Sequence, residues 1–125
     1  MKVINKDKMM KEVIDHPYDS SPGYLAKINF FYFSEDKKSF TAYWEAPKGC
    51  FSFKWDSASE TMFIISGKLE IISADKKINV EAGDCIIAGN YEEIEFVIKE
   101  DVKAIVSFYP ITEEVTQNIE KLTKK

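Results

Sequence analysis

The sequence predicts a small all-β domain, built as a sandwich or a closed barrel. The first observation is a series of short segments with β-strand character, separated by polar turns at intervals of about 8–12 residues. The second is a strict alternation in which the apolar residues Phe51, Phe53 and Trp55 are separated by polar ones. The third is the content of large rings, because 9 Phe, 6 Tyr and 2 Trp favour a core or a pocket built from aromatic side chains.

The size and charge of the chain narrow the possible functions. The 125 residues are 45% hydrophobic, so the chain can bury one core without disulfides or structural metals. The formal net charge of -4 argues against a nucleic-acid partner, which would require a basic surface. All 17 basic residues are lysines. Phosphosugars and nucleotide sugars are less favoured as substrates, because arginine, which binds phosphate bidentately, is absent, although lysine can also bind phosphate.

Residues 1–8 contain no apolar core of a signal peptide, and no apolar run approaches the ~18 residues that a membrane span needs. We therefore expect a cytoplasmic protein with no membrane partner, in which Cys50 and Cys85 are thiols. Their spacing is not that of a zinc site or a redox pair. Cys85 lies in an apolar segment and is expected to be buried and inert.

Residues 1–23 form an N-terminal arm, which is expected to carry either a short helix or an edge strand and ends in the turn-forming cluster 19–23. Polar turns and glycine or proline residues bound the strands that follow. Gly67 and Gly83 are expected at tight turns between strands, where positive φ is tolerated. The strands are predicted over 24–33, 40–45, 51–56, 61–66, 69–73, 78–81, 85–88, 92–98 and 102–109.

A short α-helix is predicted over 112–123 at the C-terminus. Thr112 is suited to its N-cap, and Glu113 and Glu114 match the positive end of the helix dipole. The apolar residues of this segment share one helical face, and they are Val115, Ile119 and Leu122. We expect that face to pack on the sheets rather than to bind a partner.

Two stretches of the sequence resemble motifs of the cupin superfamily. Residues 60–71 resemble the first motif, in which a glutamate precedes a glycine, and residues 80–87 resemble the strand and Gly-Asp turn that open the second. The segment 44–109 is similar to small single-domain cupins of the ureidoglycine aminohydrolase and ethanolamine-utilisation types. This resemblance implies a double-stranded β-helix, or jelly-roll barrel. The single cupin domain 1–125 then consists of the N-terminal arm 1–23, the β-barrel 24–110 and the C-terminal helix 112–123.

The resemblance also bears on metal binding. Metal-binding cupins place two histidines and a glutamate at the first motif and another histidine after the second. Glu60 matches the glutamate, whereas the histidine positions carry Phe53 and Trp55 (or Lys54 and Asp56) and Ile94. The one histidine, His16, lies in the arm and is expected at its surface. Since a transition metal needs several convergent ligands, we expect neither a metal nor another cofactor.

Glu60 is the candidate catalytic residue. The resemblance places it toward the barrel interior, where a carboxyl group among rings would lose solvation and its pKa would rise. Such a group can act as a general acid or base. The alternative is a structural role, in which Glu60 hydrogen-bonds to a nearby turn.

Four aromatic residues are the candidate walls of a ligand pocket, namely Trp44, Phe53, Trp55 and Tyr109. Aromatic walls with few polar groups suit a small organic ligand, and ordinary core packing is the alternative for each ring. Lys54 and Lys103 are expected on solvated strand faces. If Lys103 pointed inward, it would be able to pair with Glu60.

Three functions are compatible with the sequence. The first is a cupin-fold protein that binds a small organic metabolite, without a metal, in an aromatic-lined barrel pocket. The second is a metal-independent enzyme that uses Glu60 as acid or base on a small metabolite such as a sugar or ureido compound. The third is an assembly or interaction module with a filled barrel.

The resemblance implies a homodimer, and the aromatic run 30–33 would be unfavourable as a free sheet edge.

Overall fold

This computed structural model describes residues 1–124 of the chain, which contain eight β-strands and two helices. The helices are α1 (Lys6–Lys11) and α2 (Glu113–Thr123). The strands are β1 (Ile14–Pro17), β2 (Leu25–Phe33), β3 (Phe40–Ala46), β4 (Gly49–Lys54), β5 (Ser59–Ser73), β6 (Lys76–Glu81), β7 (Cys85–Gly89) and β8 (Glu93–Tyr109).

The strands pair antiparallel and form two layers that share β5 and β8. The first layer has the order β1-β2-β3-β8-β5-β7 and uses the C-terminal half of β8 and the N-terminal half of β5. The second layer has the order β4-β8-β5-β6 and uses the other halves of the two shared strands. Eight antiparallel strands in two such layers form a jelly roll, so the predicted all-β fold class is confirmed.

Two of these strands, β5 and β8, are each continuous where the sequence predicted two shorter strands. They stay paired from Ser59–Tyr109 to Ile72–Glu95, with register shifts between Ile64 and Leu69. Gly67 lies at these shifts with a φ of 99°. The expected turn at Gly67 is therefore wrong: the chain bends at a bulge and continues along the same partner strand. Gly83, with a φ of 94°, does lie between β6 and β7.

The core lies between the layers, and β8 shows how alternation builds it. Val102, Ala104, Val106 and Phe108 are at most 4% exposed, because every second side chain of a strand points to the same face. Large rings fill much of this space. Phe51 stacks on Phe96 with ring centroids 4.8 Å apart, which joins β4 to β8.

The N-terminal arm contains both of the elements that the sequence left open. Asn5 caps α1, because its side-chain oxygen accepts a hydrogen bond from the backbone NH of Asp7 at 2.9 Å. The strand β1 pairs with the first four residues of β2. The side chain of Asn29 in β2 donates a hydrogen bond to the carbonyl oxygen of Met9 at 3.0 Å. The arm is thus folded onto the edge of the first layer.

The predicted C-terminal helix is confirmed at Glu113–Thr123. Thr112 is its N-cap, and its side-chain oxygen accepts a hydrogen bond from the backbone NH of Val115 at 3.2 Å. The Thr112 hydroxyl also donates to the carboxylate of Asp56, so the start of α2 is tied to the turn that precedes β5. Val115 and Ile119 pack against the core, which is the packing role expected for this face.

The two cysteines, Cys50 and Cys85, are free and exposed. The expected burial of Cys85 is wrong, because the inward positions of β7 are taken by Ile86 and Ala88. Neither helix within residues 1–124 has the length and the apolar character that a membrane crossing requires.

Replacing Gly67 with alanine should destabilise the fold more than replacing Gly83. Both glycines have positive φ, which costs an alanine ~1–2 kcal/mol. At Gly67 the added Cβ would also lie 2.3 Å from the carbonyl oxygen of Asp101, whereas at Gly83 no atom lies within 4 Å. Urea unfolding of the two variants measures the difference. Equal losses of unfolding free energy would show that the bend in β5 tolerates a side chain.

Candidate functional site

A cavity of about 630 Å³ lies between the two layers, and we call it the interior cavity. Inward-facing residues of β2, β3, β4, β5 and β8 line it. Most of the lining is apolar, and its rings include Phe30, Phe40, Trp44, Phe51, Phe53, Trp55, Phe96 and Phe108. The aromatic composition of the chain is therefore concentrated around this space.

Both ends of the chain cover one side of the interior cavity. The arm contributes residues 15–20, and α2 contributes Val115, Ile119 and Leu122. The Ser20 hydroxyl donates a hydrogen bond to the carbonyl oxygen of Ser52 at 2.7 Å and accepts one from the Ser52 backbone NH at 2.9 Å. These two bonds hold the end of the arm against β4.

Glu60 lies near the start of β5, on the face that also carries the buried Met62 and Ile64, and it lines the interior cavity. The indole NH of Trp55 donates a hydrogen bond to its Oε1 at 3.0 Å. Burial raises the pKa of Glu60 to about 7, and the Trp55 hydrogen bond opposes part of this rise. The carboxyl group can therefore be neutral or ionised near neutral pH, and Oε2 is left for a ligand.

Phe53 and Trp55 both face the interior cavity, as their alternation predicted, and Trp55 is the one that contacts Glu60. Their rings meet edge-on, with centroids 4.8 Å apart and an interplanar angle of 80°. Trp55 is 2% exposed, whereas Phe53 is half-buried. Both rings line the interior cavity, so they are wall and packing residues at once.

Trp44 also lines the interior cavity, and its partner there is a residue that the sequence analysis missed. The Trp44 indole NH donates a hydrogen bond to the hydroxyl oxygen of Tyr18 at 3.0 Å. The Tyr18 ring stacks on Phe51 with centroids 4.0 Å apart. Burial raises the pKa of Tyr18 far above its usual range, so the hydroxyl stays neutral.

His16 is a second residue of the arm that turns inward. Its ring stacks on Tyr18 with centroids 4.4 Å apart, and it lines the interior cavity. Burial lowers the pKa of His16, so the imidazole is mostly neutral at pH 7. The expected surface position is therefore wrong. The sequence did carry a signal, because Ile14, His16 and Tyr18 alternate with polar residues and proline.

Tyr109 and Lys103 do not reach the interior cavity. Tyr109 is 58% exposed, and its predicted place in the pocket wall must be corrected to Phe108, which lines the cavity. Along the C-terminal half of β8, the even-numbered residues from 102 to 108 are buried. Because side chains alternate along a strand, Tyr109 points outward. Lys103 is also at an odd-numbered position of β8, and its backbone lies opposite that of Glu45 in the neighbouring strand β3. Its side chain therefore lies on the outer face, away from Glu60.

The donor set of the interior cavity does not fit a resident transition metal. Such sites join three or more side-chain ligands, and within residues 1–124 no three His, Cys, Asp or Glu side chains are clustered for that purpose. The positions expected for the other ligands hold Ile94 and either Phe53 and Trp55 or Lys54 and Asp56. Phe53 and Trp55 are rings of the cavity wall, so no chemical step is assigned to a metal.

The model of the EutQ-like cupin domain family matches residues 33–103 of the chain. This segment contains β3 to β7 and most of β8, and with them Glu60 and the strands around it. No curated protein sequence matches the chain.

Three solved structures illustrate the likeness. The EutQ protein of Clostridium difficile is 20% identical, with a TM-score of 0.64 over 74% of each chain. A predicted oxalate decarboxylase of Thermotoga maritima is 15% identical, with a TM-score of 0.69 over 87% of this chain and 99% of that one. KdgF from Halomonas is 16% identical, with a TM-score of 0.62 over 79% and 92%. Identities this low show a shared fold and not a shared activity.

Replacing Glu60 with glutamine should stabilise the protein at high pH. A rise of the Glu60 pKa from 4.5 to about 7 means that the folded state binds the proton more tightly than the unfolded state. The stability that this carboxyl group contributes is fully present below the unfolded-state pKa of 4.5 and is lost as the pH rises through the folded-state pKa of about 7. One pKa unit corresponds to about 1.36 kcal/mol. The free energy of unfolding of the variant, relative to that of the wild type, should therefore rise by ~3 kcal/mol between about pH 4 and pH 8.

Urea unfolding at both pH values measures this gain. Replacing the exposed Glu95 with glutamine is the matched control, since it removes the same charge outside the interior cavity. Parallel pH profiles for the wild type and the Glu60 variant would contradict the burial of this carboxyl group.

Proposed function

The chain belongs to the family of EutQ-like cupin domains, and we propose that it binds a small organic metabolite in the interior cavity without using a metal. One observation carries this proposal: a cavity of about 630 Å³ is walled by aromatic rings and holds a half-buried carboxyl group with a raised pKa, that of Glu60. Ligand sites in proteins typically have volumes of ~300–1,000 Å³, mostly apolar walls and a few placed polar groups.

The side chains around the interior cavity have different roles in ligand binding. The half-buried ring of Phe53 offers apolar area to a ligand, whereas Trp44 and Trp55, at 3% and 2% exposed, mainly shape the cavity wall. Burial of apolar area favours binding. Glu60 supplies orientation, because Trp55 holds its Oε1 at 3.0 Å and thereby limits rotation of the carboxyl group. The helix α2 and the arm cover one side of the site.

A second candidate function is a metal-independent enzyme in which Glu60 acts as general acid or base. The pKa of about 7 favours it, because a group that titrates near the working pH exchanges protons efficiently. In this scheme the neutral carboxyl group donates its proton from Oε2, or the carboxylate accepts one, while Trp55 keeps the group in place. A filled barrel, the third interpretation, is disfavoured by the volume of the interior cavity.

We also propose a homodimer formed at the free part of β2. The strand β1 pairs with only its first four residues, which leaves one edge of residues 29–33 outside that pairing. Tyr32 in this segment is 45% exposed, and Phe31 and Phe33 are half-buried. An aromatic strand edge of this kind favours pairing with a second copy. A cytoplasmic location stays a prediction of the sequence.

Filling the interior cavity should abolish ligand binding. Native mass spectrometry of the protein incubated with a metabolite extract identifies a bound compound, and tryptophan fluorescence then measures its affinity, since Trp44 and Trp55 both line the cavity. Val106→Phe adds a ring inside, and Ile105→Phe adds the same ring on the outer face of β8. We expect binding to be lost only in the first variant; unchanged affinity in Val106→Phe would move the site elsewhere.

The same compound separates binding from catalysis. Turnover by the wild type, loss of turnover in Glu60→Gln and retained binding in that variant would establish the enzyme. Binding without any chemical change would support the first candidate.

A charged residue on the free edge of β2 should dissociate the dimer. Light scattering of the wild type is expected to give about twice the monomer mass of 14.4 kDa. Tyr32→Lys should return the mass to that of the monomer, because a lysine on a strand edge disfavours pairing. Leu25→Lys is the control, since Leu25 is also exposed but its edge is already paired with β1. A monomeric wild type at micromolar concentration would refute the proposal.

A further inference from the structure

We propose that the interior cavity takes an amphipathic alcohol, which has an apolar body and one hydroxyl group that donates a hydrogen bond to Glu60. The apolar body lies against Phe53 and against the part of α2 that carries Leu122. This proposal rests on the proposed function, since it names the class of compound that the same cavity takes. It also excludes polyhydroxyl compounds such as sugars as ligands of this site.

The first observation is which part of the cavity wall is open to a ligand. The deeper wall residues, among them Trp44 and Trp55, are at most 5% exposed because neighbouring side chains already cover them. The half-buried apolar residues of the wall are Phe30, Phe53, Val115, Ile119 and Leu122. The open part of the wall is thus largely apolar, and a ligand with an apolar body would cover it favourably.

The second observation concerns α2, of which no residue is fully buried. Val115 and Ile119 pack on the core, and Leu122 continues the same apolar face and lines the interior cavity. The helix therefore directs part of its apolar face toward the open space of the cavity. An apolar side chain at such a place gains from contact with an apolar ligand, so α2 is part of the binding site.

The third observation is the hydrogen-bonding capacity of the inner wall. The two indole NH groups in the wall are already used, since Trp44 donates to Tyr18 and Trp55 donates to Oε1 of Glu60. Oε2 of Glu60 is bonded to no group of residues 1–124. Because every fully buried polar side-chain atom in that part of the chain has a partner, Oε2 is reachable from the cavity.

The strands therefore offer a ligand one free hydrogen-bonding group, the carboxyl group of Glu60, and the arm adds those of His16 and Tyr18. An ionised carboxyl group only accepts hydrogen bonds, whereas a neutral one also donates. A hydroxyl group matches both states, because it can donate and accept. A polyol would leave several hydroxyl groups without partners against the apolar wall, which is unfavourable for each of them.

Three compounds with the same carbon ring test the chemical class. Cyclohexylmethanol has one hydroxyl group, methoxycyclohexane is its isomer without an O–H donor, and myo-inositol has six hydroxyl groups. Their affinities are measured by tryptophan fluorescence at about pH 8, where Glu60 is mostly ionised. We expect the alcohol to bind about tenfold more tightly than the ether, because only the alcohol donates to the carboxylate. No saturable binding of myo-inositol is expected.

A first variant assigns the preference for the alcohol to Glu60. In Glu60→Gln, Trp55 keeps the amide oxygen, so the amide NH2 faces the cavity and donates to the oxygen of either compound. The ratio of alcohol to ether affinity should therefore fall from about ten to about one. Glu95→Gln is the control, since it makes the same change at an exposed residue outside the cavity and should keep the ratio.

A second variant tests the contact with α2. Leu122→Ala should lower the affinities for the alcohol and the ether by the same factor, about fourfold or more, because apolar contact is lost and the hydrogen bond is kept. Gln117→Ala shortens an exposed side chain of the same helix that does not line the cavity, and it should change neither affinity. Circular dichroism verifies that each variant is folded.

The outcomes separate this proposal from the proposed function. Equal or tighter binding of the ether or of myo-inositol in the wild type would overturn the amphipathic alcohol and leave small-molecule binding standing. An unchanged ratio in Glu60→Gln, or unchanged affinities in Leu122→Ala, would also overturn it. If none of the three compounds bound, this proposal would fall, and the metabolite extract would still test the cavity. If Val106→Phe bound the alcohol as tightly as the wild type, both proposals would fall.

Discussion

The antiparallel pairing of β5 with β8 is the constraint on which the rest of the structure depends. The two strands remain paired from Ser59–Tyr109 to Ile72–Glu95 while they pass from one layer to the other. The first layer is completed by β3 and β7 on either side of this pair, and the second by β4 and β6. Because one strand pair belongs to both layers, it holds their inner faces opposite each other and so forms the interior cavity. Gly67 makes this possible, since only a residue without a side chain fits against Asp101 at the bend.

The half-buried carboxyl group of Glu60 links this architecture to the proposed function. A rise of its pKa from 4.5 to about 7 corresponds to ~3 kcal/mol of unfavourable burial when the group is ionised. Glutamine would fill the same volume without that cost. Trp55 offsets a part of it by donating a hydrogen bond. Perturbed carboxyl groups in cavities are characteristic of functional sites, and here the perturbation comes from burial among rings.

The two ends of the chain contribute to the site together with the strands. Tyr18 stacks on Phe51 and accepts the hydrogen bond of Trp44, so the arm is part of the cavity wall. The helix α2 covers the same side, and its N-cap Thr112 is bonded to Asp56 in the turn between Trp55 and β5. The wall of the interior cavity therefore includes both ends of the chain.

The sequence by itself determined the features whose signal is local. Alternation placed Phe53 and Trp55 on one face, and capping and periodicity located α2, because both depend on residues a few positions apart. The tertiary structure alone decided that β5 and β8 are continuous, since a strand bends or reverses according to its pairing partners. It alone brought Tyr18 to Trp44, which is 26 positions away in the chain. Contacts between such distant residues form only when the layers close, and no local pattern encodes which of them will meet.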